Sequence, residues 1–406
     1  MARILILIGG HLCTAPRPQK EAETLANAGH DVTVMGIWFD PLLIERDRAL
    51  VVHKQWRFEP VLDFQPAHRL LNQQVRVQTR LAKKIYQRFK HFSPQLLGYG
   101  ASAMLKAARR FEADLTIVHS EAGLWVGDQL LDAGFQVGVD FEDWFSEDLL
   151  SEARISRPID QLKRLESRLI QDCQYCLTTS NAMAEAMAKT YQAPTPTVIY
   201  NCFPDQPTLE SRIFKDRKNL NLCSLHWFSQ TIGAGRGLEL LFEALPLLQY
   251  PVEIHLRGQY SESTRRWLEP LVPDQWRDRL FIHPTVPTDQ LLDRIAEHDI
   301  GLALEIPYCL SRQLTITNKL FQYLQAGLAI VATDTLGQQE IFSQVSTIGR
   351  LISHNSSGSL AQALNELISK REELAIMKAT ARTAANQLFN WQHQANKLRA
   401  QAERAL

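Results

Sequence analysis

"TNKLFQYLQAGLAIVATD" (317–334) joins a short amphipathic pattern, a glycine and an unbroken apolar run. Thr317 predicts a helix cap, and Gly327 predicts a left-handed stop. Leu328 to Ala332 then read as a buried parallel strand. Leu320, Phe321 and Leu324 make one apolar helix face, while Asn318, Lys319 and Gln322 put a polar set near its start. A lysine at a helix start predicts an anion site.

The same alternation runs along the whole chain. In the first half the strand candidates are 3–8, 31–37, 114–120, 135–141, 175–180 and 197–201. In the second half they are 220–228, 252–258, 279–286, 298–305, 328–334 and 347–353. Strands alternating with helices predict parallel sheets covered on both faces. Two such sets predict an α/β protein with two doubly wound, Rossmann-like domains facing across a cleft. The expected divisions are 1–203, a linker at 204–219, 220–385, and a C-terminal helix at 386–406 that packs back on the first domain. The linker is inferred from "FPDQPTLESRIFKDRKN" (203–219), which has prolines, basic residues and no regular period.

Composition narrows the class. Formal net charge is zero, so no global field draws in nucleic acid. No apolar stretch reaches the ~18 residues of a spanning helix, and "MARILILIGG" is too short for a signal peptide. The expectation is a cytoplasmic protein. Cys173 and Cys176 form a C-x-x-C with no second pair at metal spacing, so two buried small residues is the better reading.

"GAGRGLELLFEALPLL" (233–248) is a glycine-rich turn feeding a helix. Gly235 and Arg236 sit where loop amides, helix dipole and guanidinium can hold a phosphate. Glycines at such a turn also serve packing alone. Gly9 and Gly10 end the first strand, where backbone can approach a ligand or simply pack. His119 is either a satisfied strand-end histidine or a site residue. Glu142 and Asp143 are either cleft carboxylates or a solvated acidic turn, and they lack the supporting set of a metal site. Trp227 reads as core.

These segments, in this order and spacing, resemble the retaining glycosyltransferases of family 4, which have the GT-B fold. The resemblance covers nearly the whole chain. It rests on "APRPQKEAETLANAGHDVTV" (15–34), "DLTIVHSEAGLWVG" (114–127), "VDFEDWFSED" (139–148), "LTTSNAMAEAM" (177–187), "VIYNCFP" (198–204), "WFSQTIGAGRGLELLFEAL" (227–245) and above all "NKLFQYLQAGLAIVATD" (318–334). The resemblance implies a nucleotide-sugar donor, UDP-linked, no other cofactor and no metal, with a glycan or lipid-linked acceptor. It implies that Arg236 and Lys319 neutralise the diphosphate, and that His119 approaches the donor sugar. Gly9, Gly10, Gly235, Asn318 and Gln322 complete the donor side, with Glu142 and Asp143 on the acceptor side. The family's ribose-binding Glu falls on Gln322, its paired Glu on Leu314, and a further arginine on Thr231. These departures keep open a non-catalytic relative that binds a nucleotide sugar or scaffolds glycan assembly. A phosphorylase or epimerase on the same fold is a third reading.

Phe64 to Phe111 carries ten Lys or Arg and no Asp or Glu. From Arg69 to Phe92 the pattern is helical, with Pro94 expected to end it. Leu71, Val75, Leu81, Ile85, Phe89 and Phe92 fall on one side, and Arg69, Arg76, Arg80, Lys83 and Lys90 on the other. Three readings compete: a surface helix packed by its apolar face, a landing surface for anionic lipid, or a grip on an acidic acceptor. Nucleic acid fits less well, since no aromatic platform accompanies the charge.

Overall fold

The structure, a computed structural model, describes residues 1–204 and 215–406, so most of the expected linker at 204–219 lies outside the described residues. Contacts divide the chain into two units. One comprises Met1–Ile199 with Gln394–Leu406, the other Tyr200–His393. Within the first unit the final helix is tied down by Gln401, whose amide donates to the Thr197 hydroxyl at 2.6 Å.

The first sheet holds β1 (Arg3–Leu7), β2 (Asp31–Trp38), β3 (Arg57–Asp63), β4 (Leu115–Val118), β5 (Val137–Phe141), β6 (Tyr175–Thr178) and β7 (Thr197–Val198), in the order β3-β2-β1-β4-β5-β6-β7. The second holds β8 (Cys223–Thr231), β9 (Val252–Gln259), β10 (Leu280–His283), β11 (Ile300–Ala303), β12 (Ala329–Thr333) and β13 (Gly349–Ile352), in the order β10-β9-β8-β11-β12-β13. Neighbouring strands are paired parallel, as buried apolar runs between helices require. Both orders reverse beside the first strand of the sheet. The crevice of a doubly wound sheet opens there, at the carboxyl ends of the strands. In the first sheet it lies after β1 and β4, and in the second after β8 and β11.

Each expected run contains a strand, but β3 was missed. "RFEPVLD" has no apolar run, and only Leu62 in it is buried. It is an edge strand, where Pro60 is tolerated, and its register to β2 slips between Gly36 and Ile37.

The helix of the opening segment spans Asn318–Ala326 and ends at Gly327, with φ 71°. The Leu328 amide donates to the Tyr323 carbonyl at 3.0 Å and the Gly327 amide to the Leu324 carbonyl at 3.0 Å, which satisfies the last carbonyls. Thr317 occupies the cap position but makes no capping bond, contrary to expectation. Its hydroxyl bonds the Glu305 carboxylate instead.

The second sheet gathers four imidazoles on neighbouring elements, three of them buried: His226 of β8, His255 of β9 and His298 just before β11, with half-buried His283 of β10 beside them. His226 and His255 are register partners. His298 lies 4.5 Å from His226 and 4.5 Å from His255, centroid to centroid, and His255 lies 5.3 Å from His283. Among the described residues neither ring nitrogen of His226 or of His298 has a hydrogen-bond partner. His255 contacts Glu253 at 3.2 Å and His283 at 3.0 Å, and His283 faces Asp216 at 3.5 Å. Arg217 pairs with Glu253, and Arg257 with Asp216. Burial lowers the pKa of all four, that of His255 to about 4.

The basic helix runs from Arg69 to Phe89 and stops at Lys90, in left-handed conformation at φ 54°, before Pro94 is reached. Its packed face is not the expected one. Asn72, Thr79 and Ala82 are buried. Leu71 and Leu81 are exposed, Leu70 is 84% exposed and Phe89 73%. The small residues let the helix lie close to the domain, and this turns its large apolar side chains outward beside the basic ones.

Candidate functional site

The second sheet carries two cations at its switch point. β8 runs into the loop at Gly233–Gly237, where Gly235 and Gly237 have φ 71° and 80°. A Cβ on Gly237 would collide with the Leu304 carbonyl, just past β11, so this loop closes onto the β11 end only without a side chain. Arg236 is exposed, and its guanidinium donates to the Ser229 hydroxyl at 2.9 Å. The helix that follows is shorter than expected, Leu238–Ala244, and continues as a 3-10 turn. The Glu239 carboxylate accepts from the Gly235 amide at 2.8 Å.

Lys319 stands in the first turn of the Asn318–Ala326 helix. Its ammonium lies 5.6 Å from the Trp227 ring centroid and 2.6 Å from a Glu305 oxygen. Trp227 is fully buried in the core, as expected. Burial alone would raise the Glu305 pKa, but the Lys319 charge and hydrogen bond, with the Thr317 hydroxyl, pull it below its usual value. Trp227 and Ser229, two residues apart on β8, therefore support the two cations. Asn318 accepts from the Asn201 amide at 2.8 Å. Gln322 is 8% exposed, and Leu314 is buried apolar packing. Thr231 is exposed at the end of β8.

The first sheet holds a buried ion network at its own switch point. His119 ends β4, with one ring nitrogen 2.8 Å from Glu21 and the other 2.8 Å from Glu142. Tyr175 donates to Glu21, and Arg17 binds Asp140 at 2.6 Å. Burial alone would lower the His119 pKa. Glu21 and Glu142 outweigh it and raise the value to about 10, so the ring is an imidazolium with both donors occupied. A charged ring held on both sides stiffens the end of β4. It cannot itself accept a proton. Glu142 is the network's outward end, with a side chain 32% exposed, and Asp143 beside it is half-buried. Ligand atoms of Glu21, His119 and Asp140 lie within 4.8 Å of one another, as around a metal. Here Arg17 and the imidazolium supply the positive charge.

Gly9 lies against Ser120, whose Cβ and hydroxyl would be 2.9 Å from a Cβ placed on Gly9. Ser120 is left-handed, with φ 68°, at the start of the Ser120–Leu131 helix. Gly10 has more room, but its carbonyl accepts from the Ile37 amide at 3.0 Å. Cys173 and Cys176 are buried and share no disulfide, and burial pushes the Cys173 thiol up to about 12.

Sequence reasoning missed Glu305, Glu239, Arg17, Glu21, Asp140 and Tyr175. Glu305 closes the run "HDIGLALE", and a carboxylate ending an apolar strand was a usable signal. Arg17 and Glu21 are one helical turn apart, so their shared side was readable.

Two doubly wound parallel sheets, ordered β3-β2-β1-β4-β5-β6-β7 and β10-β9-β8-β11-β12-β13, give the chain the GT-B fold. Residues 236–400 match the family described as Glycosyl transferase-like. Among curated proteins none matches. Solved structures extend the likeness to the whole chain. Sucrose-phosphate synthase from Thermosynechococcus elongatus is 15% identical with a TM-score of 0.73, covering 100% of this chain and 99% of that one. The Anabaena protein HepE, solved with UDP-glucose, is 17% identical with a TM-score of 0.70 and covers 100% of both. TarM from S. aureus, solved with fondaparinux, α-GlcNAc-glycerol and UDP, is 9% identical with a TM-score of 0.69, covering 100% and 99%.

Proposed function

We propose that the protein is a retaining glycosyltransferase that moves a sugar from a UDP-linked donor to a glycan or lipid-linked acceptor. The observation that carries this reading is the pair Arg236 and Lys319, both supported by β8 at the switch point of the second sheet. UDP in HepE and TarM supports the nucleotide. Retention rests on the likeness to family 4. The two cations neutralise charge as it develops on the leaving diphosphate, and a diphosphate oxygen takes the acceptor proton on the same face. Catalysis then comes from positioning and electrostatics, with no protein nucleophile. Glu142 orients the acceptor hydroxyl as a hydrogen-bond acceptor. The His119 charge and hydrogen bond hold its pKa below the usual value against the effect of burial, so it is a poor base.

The exposed Arg69–Phe89 helix supports an acceptor at an anionic membrane. Apolar Leu70, Leu71, Leu81 and Phe89 stand beside Arg76, Arg80 and Arg88 without a carboxylate in the helix. Among the described residues no helix is long and apolar enough to cross a membrane.

The test is UDP binding by calorimetry. Arg236→Ala and Lys319→Ala should each weaken it tenfold or more, since a charge-assisted bond contributes roughly 1.5–3 kcal/mol. A double variant that binds UDP like wild type would overturn the site. The non-catalytic reading is favoured by the buried Leu314 and by Gln322 in place of a carboxylate. UDP binding without hydrolysis or transfer from any of several UDP-sugars would select it.

A further inference from the structure

Two of the groups that would receive phosphate oxygens are already bonded to carboxylates of the same unit. Lys319 is 2.6 Å from Glu305, and the Gly235 amide donates to Glu239 at 2.8 Å. Glu305 is not a remote surface partner. Its side chain is 20% exposed and that of Lys319 13%, and it follows β11 at the switch point, beside the Gly237 loop. A diphosphate approaching Lys319 meets this carboxylate at close range, where the medium screens it poorly. A lysine has three donors in no fixed fork, so it can turn from one oxygen to another without moving the helix.

We infer that Glu305 is a positioning residue that holds Lys319 by a direct ion pair and competes with the diphosphate for it, limiting affinity for the product and speeding its release. The inference rests on the reading of Arg236 and Lys319 as the diphosphate site. Leu314 is buried and apolar where the resemblance implies a carboxylate, so Glu305 is the acid this chain sets beside the lysine. It stands there as a rival of the leaving group. Glu305 keeps the ammonium paired, and a diphosphate must exchange one anion for another.

The experiment measures UDP, pyrophosphate and uridine binding to wild type, E305Q, E305D and K319A, each first checked for folding by thermal unfolding. Glu305→Gln preserves shape and an acceptor oxygen for Lys319 but removes the charge. E305Q should bind UDP and pyrophosphate about tenfold more tightly, which corresponds to about 1.4 kcal/mol. Uridine affinity should not change. E305D, which restores the charge, should stay within threefold of wild type. In turnover, E305Q should show lower KM, stronger UDP inhibition and lower kcat. A purely structural Glu305 would instead weaken binding in both variants. If K319A loses UDP while E305Q binds it like wild type or more weakly, this inference fails and the diphosphate site stands. If E305Q does not fold, the pair is structural and the inference fails. If wild type binds neither UDP nor pyrophosphate, or K319A binds them unchanged, the site reading fails and this inference with it.

Discussion

Acidification should unfold the second unit first, because its core buries imidazoles that cannot be charged in place. His226, His255 and His298 are the buried members, and their pKa values are lowered by burial. In the unfolded chain each titrates near 6.5. The unfolded state therefore binds more protons than the folded state below about pH 7, and stability falls as pH drops through 6.5 toward the lowered folded values. At pH 5.5 each neutral histidine then costs about 1.4 kcal/mol, and three cost about 4 kcal/mol. That is a large part of the ~5–15 kcal/mol that holds a domain together. The charged neighbours do not remove the effect. Glu253 is shared with Arg217, and Asp216 with Arg257. Among the described residues nothing hydrogen-bonds the rings of His226 and His298. Urea titrations at pH 7.5, 6.5 and 5.5, followed by Trp227 and Trp276 fluorescence, measure the slope. His226→Phe with His298→Leu should remove roughly two-thirds of it, counting one linked proton per ring. A wild-type stability that is flat over this range, or a double variant with the full slope, would refute the reasoning.

Four further outcomes are expected. Gly237→Ala should weaken UDP binding and lower the unfolding temperature, because its Cβ would meet the Leu304 carbonyl in a left-handed turn; calorimetry and thermal unfolding check both. Gln322→Glu should keep or improve donor affinity and Gln322→Leu should weaken it, and equal affinities would mean that the ribose is held elsewhere. Arg76, Arg80 and Lys83 changed together to Gln should abolish sedimentation with anionic vesicles at low salt without changing the unfolding temperature. Release of wild type at higher salt is the accompanying sign. The first unit should lose stability at alkaline pH. The raised pKa of His119, about 10, gives stabilisation that is complete below 6.5 and lost as pH rises through 10, readable from alkaline unfolding of wild type against His119→Gln.

The second sheet was the more legible, because its strands are apolar runs and the candidate residues lie at their ends. A helix start and a glycine loop put Lys319 and Arg236 forward as the proposed diphosphate ligands. What was hidden is charge placed against charge inside the protein. Glu305 looked like the polar end of a strand, and nothing local ties it to a lysine 14 residues later. The four histidines sit in or just before strands, in "SLHW", "EIHL", "FIHP" and "EHDI", where periodicity counts them only as polar interruptions. The basic helix misled for a related reason. Its pattern offers a continuous apolar side, but close packing selected Asn72, Thr79 and Ala82 for their small size.

Gly9 and Ser120 share a space that admits only one Cβ, and Ser120 holds a backbone conformation that most side chains avoid. The two positions are thus constrained as a pair, although 110 positions of chain separate them. Drift should be correlated: a side chain gained at 9 needs a glycine or a displaced turn at 120, and position 120 should accept Gly, Asn or Asp far more readily than Val or Ile. Solved structures with this fold are only 9–18% identical to the chain. At such low identity the constraint would show as forbidden combinations of residues, detectable by deep mutational scanning of the 9/120 pair where single-site profiles show little.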